Sequence, residues 1–439
     1  MSEAGGSREL GLWSATALVV GHAIGVGIFL TPADLIGALA SPILTLGLWI
    51  VGGAMVLAGA LTFGELASRF PLAGGPYVYL REAWGERVAF LYGWQSLLVM
   101  DPGVTAALTT GASQYLVVLW PAARGAERAI ALATIWTLAL VNMAGLKLSA
   151  RVLEVMTAFK LLALGAIVVL AFTVGDGHWS NFATVPFRAG APPLGEALAL
   201  GLVSVFFSFA GFWEASRIAA DVRDAARTLP RALALGVAGL TLVYVVTTSA
   251  FIYLVPARET TSASAFARHA GEAMFGPAGP AALAAVVVLS VVVSAMALLM
   301  MAPRLYVAMS QDRLFPASLA RLNPSTQSPV RATAVLAVLA SLLVMVGTFE
   351  QIVSFLVCTA MGFIALAAAA LFVVRRRDPT AGLFRAPGYP LTPGLFVLMV
   401  VGVVALVAIN RPLQAIAGFG LVALGWPAYT VFASPQRRR

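Results

Sequence analysis

Three glycines close together in an apolar segment are the first residues whose spacing points to chemistry. Gly21, Gly25 and Gly27 lie in GHAIGVGIFLTP, which ends at Pro32. If a helix is interrupted there, N–H groups at the start of one half and C=O groups at the end of the other lose their partners. These groups attract a carboxylate and an ammonium group respectively, and glycine lets a ligand approach the main chain. The spacing therefore predicts a site for a zwitterion. The alternative is a helix-packing contact through Gly21 and Gly25.

A single glycine occupies the middle of a later apolar segment. Gly211 lies in FFSFAGFWEASRIAADV, and charged residues begin three positions after it. Alone, this glycine does not predict an interruption. Together with the earlier glycines it does, because interrupted helices at corresponding positions of two inverted repeats mark the binding sites of transporters.

Two ionisable residues lie deep inside apolar segments. Lys160 is nine residues beyond Arg151, about 13 Å along a helix that rises ~1.5 Å per residue. We expect it either to act at the functional site or to extend to the membrane interface. Asp101 directly precedes Pro102. It either caps a proline kink or faces a central cavity, where it would attract a second positive charge on a substrate or take part in proton coupling.

Metal and enzyme sites are not predicted. His22, His178 and His269 have no metal-ligand spacing, and we expect His22 to have a packing role. Asp101 has no evident acidic partner in another apolar segment, so an intramembrane enzyme with paired acids is not favoured. The prediction is therefore a protein that is not an enzyme and has no cofactor.

The composition predicts that a membrane surrounds these residues. The chain has 439 residues, of which 60% are hydrophobic and 11% charged, and its mean hydropathy is +0.92. Soluble domains carry about 25% charged residues, so a soluble globular protein is excluded, and disorder is excluded by the high hydrophobicity. The net charge of +9 is assigned to cytoplasmic loops rather than to binding of nucleic acid. Cys358 is the only cysteine, so an intrachain disulfide is excluded.

Apolar runs of about 20 residues, long enough to cross a bilayer, predict twelve transmembrane helices. Their approximate limits are 11–38, 43–68, 87–119, 129–146, 151–174, 194–220, 230–255, 277–309, 329–347, 350–374, 390–409 and 412–433. Most lysines and arginines then fall in the connections on one side, which predicts that both termini are cytoplasmic. Charged residues at the cytoplasmic ends are interpreted either as solvated loop residues or as a gate of ion pairs. They include Glu65, Arg69, Glu82, Arg87, Arg217, Asp221 and Arg223.

Six segments in order resemble those of the amino acid–polyamine–organocation superfamily of permeases, most closely its bacterial amino-acid branch. GHAIGVGIFLTP resembles the first-span signature G-x-x-[IV]-G-[SA]-G-I-F-x-x-P, and SFAGFWEASRIAADVRDAARTLPRAL resembles that of the sixth span. The other four are TFGELASRFPLAGGPYVYLREAWG, NMAGLKLSARVLEVMTAFKLL, PRLYVAMSQDRLFPASLARLNPSTQSPVRA and RRRDPTAGLFRAPGYPLTP. Three features depart from the family pattern: Val26 replaces Ser or Ala, Trp213 replaces an acid that follows as Glu214, and the eighth span lacks G-x-N-G.

The resemblance implies an all-α polytopic membrane protein with twelve transmembrane helices and the LeuT-type 5+5 inverted repeat. Residues 11–174 and 194–374 would be the two repeats, 390–433 the two accessory helices, and 1–10 and 434–439 cytoplasmic tails. The implied function is a secondary active transporter that moves amino acids across the cytoplasmic membrane by alternating access. Transport would be independent of sodium and driven by protons or by exchange.

The resemblance also implies roles for individual residues. N–H groups of residues 25–28 would bind the substrate carboxylate, and main-chain carbonyls on both interrupted spans would bind its ammonium group. Phe207 would close over the ligand as a gate, or be a plain core aromatic. Lys160 would replace the sodium ion of sodium-driven relatives, with Ser290 or Ser294 as its contact. The implied substrate-binding residues are Ala23, Ile24, Gly25, Val26, Gly27, Ile28, Asp101, Phe207, Ser208 and Ala210.

Three other functions stay open. The first is an antiporter of polyamines or organic amines, which a carboxylate at Asp101 would suit. A channel is the second, because interrupted helices also line pores. The third is an amino-acid sensor that does not transport.

Overall fold

The computed structural model describes residues 9–25, 27–183, 193–256, 263–346, 349–410 and 412–433. Within these ranges the regular structure is helical, apart from an isolated parallel bridge between Leu10 and Val222. The first eight helices are α1 Leu12–Ala23, α2 Gly27–Leu39, α3 Pro42–Arg69, α4 Pro76–Trp84, α5 Glu86–Gln95, α6 Asp101–Leu119, α7 Glu127–Ala144 and α8 Leu146–Thr173. The next eight are α9 Leu194–Phe209, α10 Ala225–Leu254, α11 Ala263–Phe275, α12 Gly279–Gln311, α13 Val330–Val346, α14 Phe349–Arg377, α15 Leu391–Asn410 and α16 Pro412–Ala433.

Seven helical segments are long and apolar enough to cross a membrane by length and composition. They are Pro42–Arg69, Glu127–Ala144, Leu146–Thr173, Leu194–Asp221, Ala225–Leu254, His269–Gln311 and Leu391–Ile409, and shorter apolar helices accompany them. Large apolar side chains such as Leu162, Leu242 and Leu398 are exposed on these segments, as expected of side chains that contact lipid. The chain is therefore a polytopic helical membrane protein, as predicted, and the count of twelve spans stays a prediction.

Both predicted interruptions are present. α1 ends at Ala23 and α2 begins at Gly27 within the first apolar segment. α9 ends at Phe209, and a 3-10 helix over Phe212–Asp221 follows it after Gly211. Gly211 has φ 96°, a left-handed conformation that costs glycine little and other residues more.

A third interruption lies in the segment 87–119, which was predicted to be one continuous span. Residues Ser96–Met100 form a π-helical turn between α5 and α6, and the Asp101 N–H donates to the Ser96 carbonyl, five residues earlier. The physical reason is Pro102, which has no N–H and whose ring clashes with the carbonyl four residues before it. The wider turn accommodates the proline and ends at Asp101.

Helix α12 belongs to the most buried of the seven candidate membrane-spanning segments and packs against α1, α6 and α8. Most of its residues from Val287 to Ser310 are buried. The residue pair just before α1 contacts the C-terminal end of the 3-10 helix, because Leu10 pairs with Val222 and the Leu10 N–H donates to the Asp221 carbonyl at 3.1 Å. The N-terminal end of α1 and the C-terminal end of the 3-10 helix, which are the ends farthest from the interruptions, are therefore joined.

Candidate functional site

The two interruptions border a single cavity of about 270 Å³, together with residues of α6, α12 and α14. This volume is near the lower end of the roughly 300–1,000 Å³ of small-molecule sites. The first interruption contributes His22, Ala23, Gly25 and Gly27, and the second contributes Phe207, Ser208, Ala210, Gly211, Trp213 and Glu214. The remaining lining residues are Met100, Asp101, Val104, Ala107, Leu108, Leu298, Ala360 and Met361. The walls are therefore mainly apolar, and polar groups are concentrated at the interruptions and around Asp101.

Lys160 binds the open end of α1. Its ammonium group donates to the Gly21 carbonyl at 2.9 Å and to the Ile24 carbonyl at 2.6 Å. The Lys160 side chain is fully buried, so the expectation that it extends to the interface is wrong. A cation is favourable here because the carbonyls at a helix C-terminus carry a partial negative charge.

Ser294 on α12 contacts the same two carbonyls, and Ser290 does not. The Ser294 hydroxyl is 3.1 Å from the Gly21 oxygen and 3.0 Å from the Ile24 oxygen. The Ser290 hydroxyl is buried and has no hydrogen-bond partner among the described residues. Of the two serines predicted to connect Lys160 with α12, Ser294 therefore has the position of a bracing residue.

Tyr244 on α10 bridges the two interruptions, which the sequence analysis did not foresee. Its hydroxyl is 2.6 Å from the Ser208 carbonyl oxygen and 3.1 Å from the Ala23 carbonyl oxygen. Two of the carbonyls predicted to bind a substrate ammonium thus already have a donor within the protein. No signal in the apolar sequence around Tyr244 distinguishes it from a core aromatic.

The remaining main-chain groups of the first interruption have different surroundings. The Gly25 N–H turns back and donates to the Ala23 carbonyl at 2.9 Å, so it is not free for a carboxylate in this structure. The predicted residue Val26 lies outside the described residues. Ile28 is buried at the start of α2. The N–H groups of the first turn of α2 have no carbonyl partner within their own helix, as at the start of any α-helix.

The two interruptions approach each other so closely that Gly27 and Gly211 have no space for a side chain. A Cβ at Gly27 would lie 2.6 Å from the Ser208 hydroxyl oxygen and 3.1 Å from its Cα. A Cβ at Gly211 would lie 2.3 Å from the imidazole ring of His22. The His22 Nδ1 is in turn 3.1 Å from the Ser294 carbonyl oxygen, which agrees with its expected packing role.

Arg217, Asp101 and Glu214 form a buried ionic cluster beside the cavity. Arg217 Nη1 donates to both Asp101 carboxylate oxygens at 2.9 Å, and Arg217 Nε is 2.6 Å from Glu214 Oε2. All three side chains are at most 1% exposed. The interpretation of Arg217 as a solvated residue is therefore wrong, and Asp101 does have an acidic neighbour on another helix.

Three aromatic side chains add hydrogen bonds to this cluster. Tyr306 donates to Asp101 at 2.8 Å, and the Trp213 indole donates to Glu214 at 2.7 Å. Tyr92 accepts from Arg217 Nη2 at 2.8 Å. Because i and i+3 are eclipsed in a 3-10 helix, Arg217 lies over Glu214.

Ion pairs also connect the helix ends that were predicted to be cytoplasmic. Glu65 is fully buried and accepts from Arg69 at 2.8 Å and from Arg375 at 2.5 Å, so it is not a solvated residue. Arg81 and Tyr77 on the short helix α4 both contact Asp312 after α12. Burial and the Asp312 carboxylate raise the pKa of Tyr77 above its usual range. Tyr77 therefore remains a protonated donor.

Other charged residues of this region have separate contacts. Arg304 donates to Asp221 at 2.7 Å, and the Arg87 guanidinium lies 5.7 Å from the centre of the Trp426 ring.

Among the described residues, no group of three or more His, Cys, Asp or Glu side chains could hold a metal ion.

Comparisons with known proteins identify similar chains. Residues 10–431 match the family described as "Amino acid permease". The serine/threonine exchanger SteT of Bacillus subtilis (strain 168) is 26% identical over 398 residues, which cover 90% of this chain and 89% of that protein. The cystine/glutamate transporter of Homo sapiens is 27% identical over 431 residues, which cover 97% of this chain and 85% of that protein. The Asc-type amino acid transporter 1 of Homo sapiens is 31% identical over 61% of this chain, which corresponds to 53% of that relative.

Proposed function

Because the chain belongs to the amino acid permease family, we propose that it is a secondary active transporter that exchanges amino acids across the cytoplasmic membrane by alternating access. It is a permease of the amino acid–polyamine–organocation superfamily and not an enzyme. Exchange, in preference to proton symport, is supported by the description of the similar SteT protein as an exchanger.

The observation that carries this proposal is the cavity between the two interruptions. The first turn of α2 offers N–H groups to a carboxylate, from Gly27 and Ile28. The proposed partners of the ammonium group are the carbonyls of Phe207, Ser208 and Ala210, together with that of Ala23, which also accepts from Tyr244 and from the Gly25 N–H. Both kinds of group border one cavity, which fits the two ends of a zwitterion. Phe207 is half-buried at this cavity and is proposed to close over the ligand.

The proposed substrates are amino acids with uncharged side chains. Apolar residues from α6, α12 and α14 line most of the cavity, among them Val104, Leu298 and Met361. The Asp101 carboxylate is already paired with Arg217, so it has less attraction for a second positive charge on a substrate. The amine-antiporter alternative is correspondingly less favoured.

The proposed architecture is the twelve-helix, 5+5 inverted-repeat fold. Its support is that an interruption occurs in the first helix of each proposed repeat, at residues 24–26 and 210–211. Residues 11–174 and 194–374 are the proposed repeats, with both termini in the cytoplasm and 390–433 as accessory helices.

Transport is proposed to be independent of sodium. The ammonium group of Lys160 already binds the Gly21 and Ile24 carbonyls at the end of α1. A second cation at the same oxygen atoms would be repelled by this charge. Lys160 and Ser294 are therefore the proposed coupling residues. Ser290, whose hydroxyl has no hydrogen-bond partner among the described residues, lies one helical turn away on α12.

The experiment is uptake of radiolabelled L-alanine and L-serine into proteoliposomes that are empty or preloaded with unlabelled neutral amino acids. We expect saturable uptake that preloading accelerates and that replacing sodium by choline does not change. Uptake that strictly requires sodium would falsify the coupling proposal. Flux that never saturates indicates a channel, and ligand-induced thermal stabilisation without flux indicates a sensor.

A further inference from the structure

The charged groups around the cavity are balanced. Asp101 and Glu214 line the cavity and are fully buried. Arg217 contacts both carboxylates, and Lys160 lies at the first interruption. Two acids are thus matched by two bases, so the cavity has no formal charge left for a charged substrate side chain.

Arg217 lies behind the two acids instead of facing the ligand. It is not among the residues that line the cavity, whereas Asp101 and Glu214 both are. Its Nη1 binds Asp101, its Nη2 binds Tyr92, and its Nε faces Glu214. Because Arg217 does not line the cavity, any effect of Arg217 on a ligand must act through the two carboxylates that do.

We infer that Arg217 is a positioning residue that sets the charge class of the substrate. By pairing with Asp101 and Glu214, while Lys160 supplies the second positive charge, it keeps the cavity selective for uncharged side chains. This inference rests on the proposed amino-acid transport. A buried carboxylate without its cation is strongly unfavourable and would be compensated by a positive group brought by the ligand. Conversely, a buried guanidinium without its carboxylates would be compensated by an anionic group on the ligand.

A merely structural role of Arg217 makes a different prediction. Arg217 also joins the 3-10 helix to α5 and α6, through Tyr92 and Asp101. If that connection were its only function, its removal would weaken the binding of every amino acid to a similar extent. Only a charge-setting role changes the order of preference between substrates.

The test compares three L-amino acids of similar side-chain length: norvaline, ornithine and glutamate, which are neutral, cationic and anionic. Apparent affinities are measured from the ligand-induced rise in melting temperature of the purified full-length protein. For the wild type we expect norvaline to bind best. For Arg217→Met we expect the affinity for ornithine relative to norvaline to rise at least about tenfold. The matched control is Arg227→Met, at an arginine whose side chain is 63% exposed, which we expect to keep the wild-type order.

A second variant keeps the inference testable if Arg217→Met does not fold. In Asp101→Asn/Glu214→Gln the arginine is retained and both carboxylates are lost. We expect the affinity for glutamate relative to norvaline to rise at least about tenfold in this variant. An unchanged order of preference in either folded variant, or an equal loss for all three ligands, overturns the inference. A wild-type protein that binds no amino acid contradicts the proposed function instead.

Discussion

The hydroxyl of Tyr244 reaches a main-chain carbonyl of both interruptions. Replacing it by phenylalanine leaves the Ser208 and Ala23 carbonyls without this donor. An unsatisfied buried polar group costs about 1–3 kcal/mol. We therefore expect Tyr244→Phe to lower the thermal unfolding midpoint in detergent and to weaken the binding of neutral amino acids.

The control for this prediction is Tyr253→Phe on the same helix. Tyr253 is half-buried, and its recorded hydrogen bonds involve its main-chain carbonyl. Changes of this kind away from a bonded site usually stay within about 0.5 kcal/mol. Equal losses of stability in the two variants would contradict a bridging role for Tyr244.

Sequence reasoning succeeded for residues whose type is anomalous in a membrane. A lysine or a cluster of glycines stands out in an apolar segment, and Lys160 does lie at the interruption that Gly25 and Gly27 predicted. Tyr244 and Arg217 were missed for opposite reasons. Tyr244 is ordinary in an apolar segment, and Arg217 is ordinary in a charged stretch after a span, so neither residue type signals its contacts.

At the scale of the element, the second interruption depends on the backbone of Gly211. Alanine at this position would have φ near 96° and a Cβ 2.3 Å from the His22 ring. Strained backbone of this kind costs about 1–3 kcal/mol. We expect Gly211→Ala to lower stability by at least this amount and to abolish amino-acid binding, as measured by thermal unfolding with and without ligand.

Gly239→Ala on α10 is the matched control. A Cβ at Gly239 would meet no atom within 4 Å. Because alanine favours a helix over glycine by about 0.5–1 kcal/mol, we expect this variant to be as stable as the wild type or more stable. A Gly211→Ala protein that binds ligand as well as Gly239→Ala would contradict the need for a left-handed residue.

Helix interruptions could be predicted where glycines lie in an apolar segment. The interruption before Pro102 was missed, because proline there changes the hydrogen bonding of the residues that precede it. The breaks at residues 24–26 and 210–211 follow from glycine spacing. The π-helical turn over Ser96–Met100 depends on how the chain accommodates Pro102, which the apolar pattern does not record. Helices α4 and α11 are short and partly polar, so a search for membrane-length apolar runs treated them as connections.

At the scale of the whole molecule, apolar content predicted a polytopic helical protein, and motif order predicted its family. Both predictions are confirmed. Composition could not predict which parts move together, because that depends on contacts between distant segments. The structure joins α1 to the 3-10 helix through Leu10 and Val222, and joins the 3-10 helix to α12 through Asp221 and Arg304. The last of these contacts is an ion pair that movement of α12 relative to the 3-10 helix would break.

Breaking the pair between Asp221 and Arg304 is expected to favour the state that opens to the cytoplasm. The two side chains are 13% and 5% exposed, and Arg304 Nε is 2.7 Å from the carboxylate. Removing one partner of such a buried pair costs about 3–5 kcal/mol in the state that contains it. If the pair closes the cytoplasmic path in the proposed orientation, Asp221→Asn destabilises the closed state more than the open state.

Accessibility of the cavity to a thiol reagent measures this shift. Ala360 lines the cavity, and a Cys358→Ser background removes the only native cysteine, so Ala360→Cys supplies one reporter thiol. In vesicles with the cytoplasmic face outward, we expect Asp221→Asn to accelerate labelling by an impermeant maleimide at least about tenfold, since about 1.4 kcal/mol corresponds to a factor of ten.

The neighbouring pair supplies the control that separates a gate from a general charge effect. Asp224 lies 3.7 Å from Arg227, and both side chains are more than half exposed, 55% and 63% respectively. Exposed pairs contribute only about 0–1 kcal/mol, so Asp224→Asn should leave the labelling rate unchanged. Acceleration by both variants would indicate an effect of net charge on the reagent. No acceleration by Asp221→Asn would mean that the cytoplasmic path opens without parting α12 from the 3-10 helix.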